Sequence, residues 1–483
     1  MDCPDSEVHR HRMHQITELV NIIDPDTTVK HNRSSTCAGL WCGFSALVAK
    51  LMITKEFYKS VAFPILLLCP LVAILMSVLY RRNRSKRLDY LSLPLLIVAV
   101  LLIHCLLYCT DDSFVLGLLV RVLFPTGVLI SGVLIYPRVA SSFTVGEFVV
   151  LFQGLACLSQ LCFEFNTSFL WATDSDQTTA SAEISNLALV LFVACLWLSL
   201  STYLVSVFRR VPLLFYANTL MTGCFCYGLW SFACGQDLTL WLLRSVFLSK
   251  VRLLLVTFWL LCAVAAFICA LRMAELPRVT TGHRKLFHVI VLLIYSAGLA
   301  GDPELTLLAS VLAAFAFFMT ELLRLSSVPP FGPYINDLFS RLIDEKDSGL
   351  FVLTHFYLLI GCFLPLWLHP ITRPEHVKLC HFAGVFSIGV GDTVASVLGS
   401  ALGRHKWPGS RKTLEGSAFS ALAQFISMII CVIFEPGVVQ SSGISLIFHL
   451  IYASLMSSLL EAFTDHVDNL ILPIFTFIVL ANI

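Results

Sequence analysis

Charge is scarce in this chain: 13% of its 483 residues are Asp, Glu, Lys or Arg, against 57% that are hydrophobic. A soluble protein of that length could not hide so much apolar surface. The alternation of apolar and polar residues over about ten positions that marks a membrane β-barrel strand is missing. A net charge of +1 gives no bulk attraction to nucleic acid, and no nucleic-acid partner is expected. The 17 cysteines lack the paired spacing of zinc sites. Most are scattered through apolar stretches, as at Cys69, Cys105, Cys195, Cys262 and Cys269, and read as small apolar fillers. The first 36 residues have no apolar h-region, so no cleavable signal peptide is expected. There is no internal repeat of the kind that marks many transporters.

What is present is a succession of apolar runs of about 17–25 residues, a length that spans a bilayer. The expected fold is all-α, a polytopic transmembrane helical bundle of about 13–15 spans. Candidate spans are 38–53, 60–80, 88–108, 114–136, 144–165, 185–208, 212–233, 251–273, 286–300, 305–323, 350–369, 377–403, 414–434, 444–460 and 470–483. The run 239–248 is too short to cross. The chain divides into a polar tail (1–37), N-terminal transmembrane helices (38–273) and a C-terminal transmembrane region (274–483) that carries most of the polar motifs.

Orientation follows from the excess of Lys and Arg in cytoplasmic loops. The loop 81–87 reads RRNRSKR and anchors the count. Crossings counted from there put every strongly basic loop on the cytoplasmic side: Arg209 and Arg210, 278–285, 324–349 and 404–412. The opposite side receives Asp111, Asp112, Asp174, Asp176 and a possible glycosylation sequon at Asn166.

Polar residues gather after residue 273, at cytoplasmic helix ends. Charges near or within a membrane cost free energy and usually have a partner or a role. In the stretch GVGDTVASVLGSALGRHKWPGSRKTLEG, Asp392, Ala395, Gly399 and Gly403 share one face of an α-helix. Small residues alone would serve tight helix packing, but packing does not call for Asp392. The face is expected to leave room for a ligand. Arg404, Lys406, Arg411 and Lys412 then surround the rigid turn Trp407, Pro408 and Gly409, and Thr413 is a plausible N-cap for the next helix. Cations, a rigid turn and a helix N-terminus make an anion site. It is not a Walker loop, because GxxxxGK[ST] is absent.

The last loop carries Glu461, Asp465, Asp468 and Asn469. Oxygen donors beside a phosphate site suggest Mg²⁺. Arg284 and His288 lie four apart on one helix face, next to Lys285. Asp347 precedes a span bearing His355, and Glu321 and Arg324 are spaced for a simple ion pair.

The pattern GxGDTxAxxxGxxxGxxxWPGxxKTxEG resembles the cytidine-nucleotide signature of the dolichol kinases, and more loosely of the wider polyprenol and phytol kinases. RKLFH (284–288), DEKDSGLFVLTH (344–355) and EAFTDHVDNLILP (461–473) resemble further blocks of that family, in the expected order. The resemblance covers about the last two fifths of the chain; Arg411 stands where a second Lys is common. It implies an endoplasmic-reticulum membrane enzyme that uses CTP to phosphorylate dolichol at the cytoplasmic face. Dolichyl phosphate then carries sugars for N-glycosylation, O- and C-mannosylation and GPI-anchor synthesis. It places Ser400, Gly403, Arg404, Lys406, Trp407, Pro408, Gly409, Ser410, Arg411, Lys412, Thr413 and Glu415 around CTP. Asp392 becomes a Mg²⁺ ligand or hydroxyl orienter, and Asp465 and Asp468 become ligands or base. Arg284, Lys285, His288, Asp347, His355 and Asn469 are further site candidates. Another CTP-using lipid enzyme, a phytol-type kinase or a cytidylyltransferase, carries the same motif. A transporter would want deep charges and repeats, and offers only Arg121 and Glu147 in the N-terminal half.

Overall fold

The computed structural model describes Glu147 and residues 180–480, apart from 205, 248, 277–280, 343–350, 369–376, 408–409, 411, 435–438, 440–442 and 464–466. The expected spans from 38 to 165 lie outside the described residues, Glu147 excepted. Among the described residues every regular element is helical, as an all-α bundle requires.

The helices run α1 (Ala180–Leu204), α2 (Ser206–Arg210), α3 (Pro212–Cys234), α4 (Leu238–Phe247), α5 (Lys250–Ala274), α6 (Thr281–Gly301) and α7 (Pro303–Ser326). They continue with α8 (Phe331–Leu342), α9 (Thr354–Leu368), α10 (Thr393–Leu402), α11 (Leu414–Phe434), α12 (Gly443–Phe463) and α13 (Asp468–Leu480). Their ends follow local chemistry. Asp302 caps α7 by accepting the Leu305 N–H at 2.8 Å, with Pro303 in the first turn. Pro212 opens α3, and Gly235 closes it at φ 63°, a left-handed turn that suits glycine. α4, with 10 residues, is too short to cross alone, as its sequence implies.

Among the described residues, five helical segments are long and apolar enough to cross a membrane: Lys250–Ala274, Pro303–Ser326, Leu379–Leu402, Leu414–Phe434 and Gly443–Ala462. α5 lies at the periphery, with Leu254, Leu261 and Val264 exposed where lipid would cover them. The centre is built from α9, α11, α12, α13 and the segment before α10, with Tyr357, Ile388, Met428, Leu450 and Phe477 fully buried.

The expected span 377–403 is not one α-helix. It begins as a 3₁₀ turn (Leu379–Phe382), continues as a π-helix (Val385–Asp392) and becomes α-helical only from Thr393. Glycines let neighbours close on the wide turn. A Cβ on Gly389 would meet the Leu292 side chain at 2.3 Å, and one on Gly391 would meet Gln424 Nε2 at 2.4 Å. π-turns are rare and frequent at functional sites; this one delivers Asp392.

Candidate active site

Lys285 and His288 stand one turn apart on α6 and both face Asp392. Lys285 Nζ pairs with Asp392 Oδ2, and His288 Nε2 lies 3.6 Å from the same oxygen. Nε2–H donates to Asn469 Oδ1 at 2.9 Å, which links α6 to the first turn of α13. Asp392 and His288 are both buried. The sequence pairs His288 with Arg284 by spacing; the structure turns Lys285 and His288 toward the carboxylate, and the Arg284 side chain lies outside the described atoms.

The second half of the cluster centres on Lys412. Its ammonium donates to Glu461 Oε1 at 2.9 Å and to Asp468 Oδ2 at 3.4 Å. Burial opposes this charge, but Asp468, Glu461 and Asp392 together hold the ammonium above its ordinary range. Lys412 therefore stays charged at any neutral pH. Asp468 keeps its other oxygen, Oδ1, buried and without a hydrogen-bond partner among the described residues. Such an atom is costly unless something satisfies it.

The loop that carries Lys412 is a small braced hairpin between α10 and α11. Lys406 and Thr413 bridge in antiparallel fashion, and the Trp407 N–H donates to the Lys412 carbonyl at 3.0 Å. The Trp407 indole N–H donates to Ser417 Oγ at 3.0 Å. Ser410 Oγ donates to the Ala462 carbonyl at 3.0 Å, which docks the loop on the end of α12. Thr413 caps α11 as expected, accepting the Gly416 N–H at 3.2 Å. Glu415 braces the loop: it accepts the His405 N–H on both oxygens at 3.2 Å and meets His405 Nδ1 at 2.6 Å. Arg404, Lys406 and Ser400 are exposed, and Ser400 Oγ donates back to the Val397 carbonyl at 2.9 Å.

The small-residue face does not leave room for a ligand. A Cβ on Gly399 would meet Thr413 Oγ1 at 3.1 Å and Gly416 Cα at 3.2 Å, and one on Gly403 would meet Thr413 Oγ1 at 2.5 Å. The face is filled by the start of α11, and close backbone packing explains its small residues. Asp392 lies apart from this contact, paired with α6.

Glu321 and Arg324 form the expected ion pair, with two contacts of 2.6 and 2.7 Å, and Glu321 also accepts the Val352 N–H at 2.9 Å. The ring of His355 meets those of Phe339 and Phe317 at centroid distances of 5.1 and 6.4 Å, an aromatic setting. Asp347, Pro408, Gly409, Arg411 and Asp465 lie outside the described residues. Two residues make contacts that motif spacing does not announce. Glu461 holds Lys412, and Glu147, from the N-terminal half, accepts the Val467 N–H at 2.9 Å.

Among the described residues, no three His, Cys, Asp or Glu side chains are arranged to hold a metal. Mg²⁺ needs fewer, since it commonly takes one or two carboxylates and fills its octahedron with phosphate oxygens and water. The unsatisfied Asp468 Oδ1 is a fitting donor.

Residues 236–475 match the cytidylyltransferase family. The chain is 38% identical over 256 residues to mouse dolichol kinase, covering 50% of this chain and 47% of that protein. Human dolichol kinase is 37% identical over 258 residues, with 50% and 47% covered. Dolichol kinase sec59 of Schizosaccharomyces pombe is 25% identical over 359 residues, or 70% of this chain and 68% of that one. The chain thus spans about half the length of the first of the curated relatives it matches. No solved structure matches. The resemblance to dolichol kinases drawn from the motifs is borne out. Every described member of the cluster except Glu147 lies inside the cytidylyltransferase-family region.

Proposed function

We propose that this chain is a CTP-dependent dolichol kinase of the endoplasmic-reticulum membrane, with its nucleotide site facing the cytosol. One observation carries the reading. Two lysines from separate sequence blocks, Lys285 and Lys412, converge with Asp392, Glu461 and Asp468 beside a braced loop. The similarity to dolichol kinases supports the substrates, and the family match supports a cytidine nucleotide.

Phosphoryl transfer asks a protein for positioning and charge more than for covalent chemistry. The reading assigns Lys412 to the CTP phosphates, where its fixed charge meets the negative oxygens. Asp392, held by Lys285 and His288, orients the dolichol hydroxyl. The hydroxyl oxygen attacks the γ-phosphorus and the bond to the β,γ-bridging oxygen breaks. CDP leaves with the electron pair, and the hydroxyl proton passes to a nearby carboxylate and then to water. When bound, Mg²⁺ would neutralise phosphate charge, with Asp468, Asp392 and Asp465 as its candidate ligands. A polyisoprenoid dissolves in the bilayer and CTP in water, so an interfacial pocket is where the two can meet. The product would supply the lipid carrier for N-glycosylation, O- and C-mannosylation and GPI-anchor synthesis.

Because the family model is named for cytidylyl transfer, a second reading is release of pyrophosphate with transfer of CMP. Purified protein, γ-labelled CTP, Mg²⁺ and dolichol decide between them. Label in the lipid phase together with CDP supports the kinase. Label in pyrophosphate, with the lipid unlabelled, sinks it.

A further inference from the structure

The carboxylate of Glu147 is fully buried and accepts a hydrogen bond from the Val467 N–H at 2.9 Å, across 320 residues of sequence. Val467 is the residue from which α13 starts: its carbonyl accepts the Leu470 and Ile471 N–H groups at 3.1 and 3.3 Å. In a capping box, the N-cap backbone N–H is satisfied by a Glu or Gln three residues along the same helix. Here that position is Leu470, which has no acceptor in its side chain. Glu147 fills the role from a distant part of the sequence.

The next two residues are the ones the cluster uses. Asp468 contacts Lys412, and Asn469 accepts from His288. Fixing the Val467 N–H fixes the first turn of α13, and with it both contacts. The expected span 144–165 enters the membrane from the cytosolic side by the crossing count, so Glu147 would lie at the same interface as the last loop. Glu147 is outside the matched region 236–475.

We infer that Glu147 is a positioning residue for phosphoryl transfer: the N-terminal half of the chain supplies the missing cap of α13 and so aligns Asp468 and Asn469. The inference rests on the kinase reading for its kinetic consequence and on geometry alone for the contact.

The test compares Glu147→Leu, which removes the acceptor, with Glu147→Gln, which keeps a neutral one, in the full chain. In Glu147→Leu, amide hydrogen exchange at Val467 should rise at least about tenfold while exchange in α11 and α12 stays at the parent's level. Its kcat should fall at least about tenfold with the KM for dolichol unchanged, and Glu147→Gln should keep at least about a third of the parent kcat. Unchanged exchange at Val467, parental kcat in Glu147→Leu, or a Glu147→Gln variant as damaged as Glu147→Leu would each overturn the inference. Should Glu147→Leu not fold, Val467→Pro deletes the N–H instead and carries the same expected fall in kcat, with parental kcat overturning it. The exchange measurement needs no substrate, so a protein that moves no phosphate from CTP to dolichol defeats the kinase reading and leaves the Glu147 contact to be judged separately.

Discussion

At the scale of single residues, Lys412 and Asp392 are the two on which the site turns. Lys412 is fixed in a braced hairpin and paired with two carboxylates. Replacing it with Ala removes the phosphate contact assigned to it, and a charge-assisted contact is worth about 2–3 kcal/mol. Lys412→Ala should therefore raise the KM for CTP by roughly 30- to 150-fold, while the spans still insert. Unaltered CTP kinetics would show that the lysine serves only Glu461 and Asp468. Asp392→Asn keeps the shape and removes the charge opposite Lys285. Turnover should be abolished and the dependence on Mg²⁺ altered, with the protein still folded; a turnover within a few-fold of the parent would remove Asp392 from the chemistry. Both residues are legible in the sequence because each sits in a dense local pattern, as do Lys285, His288, Asp468 and Asn469. The roles of Glu461 and Glu147 are not. Their partners are 49 and 320 residues away, and nothing in local spacing announces a contact of that range.

At the scale of elements, glycines decide how closely the helices that bear the site approach each other. Gly361 on α9 faces the first turn of α13: a Cβ there would lie 1.9 Å from the Asn469 carbonyl oxygen and 3.1 Å from its carbon. Those are backbone atoms and cannot swing aside. Gly361→Ala must shift α13, which carries Asp468 and Asn469, and overpacking of this kind costs about 1–3 kcal/mol. It should lower both thermal stability and kcat. Gly228 on α3 has nothing within 4 Å of the same added atom, so Gly228→Ala should leave activity intact and stabilise by about 0.5–1 kcal/mol. If thermal melts and turnover rank the two variants equally, the packing argument fails. The apolar runs gave the helices away, and Thr413 marked the start of α11. The π-turn before Asp392 was hidden, because hydropathy follows composition and the wide turn depends on what packs against Gly389 and Gly391. Likewise, small residues at 395, 399 and 403 are compatible with both a ligand face and a helix contact, and only the position of α11 separates the two.

At the scale of the whole molecule, the crossing count and the side-chain cluster are independent observations that agree. The count, anchored on the basic loop 81–87 and carried along the apolar spans, puts the start of α6, the loop between α10 and α11, and the loop between α12 and α13 on one side. The structure brings Lys285, Lys412, Glu461 and Asp468 from those same places to one cluster. An error of one crossing between them would have sent one of the lysines to the far end of the bundle. This agreement fixes the three segments relative to each other; the cytosolic assignment rests on the Lys and Arg excess. A cysteine at Lys406 reports on it with little disturbance, since Lys406 is exposed, whereas Ser410 is tied to Ala462. In sealed vesicles with the cytosolic face outward, Lys406→Cys should react with an impermeant thiol reagent above the background of the parent's own cysteines. Labelling that appears only after permeabilisation would place the nucleotide loop in the lumen, where CTP from the cytosol could not reach it, and the proposed reaction would lose its donor.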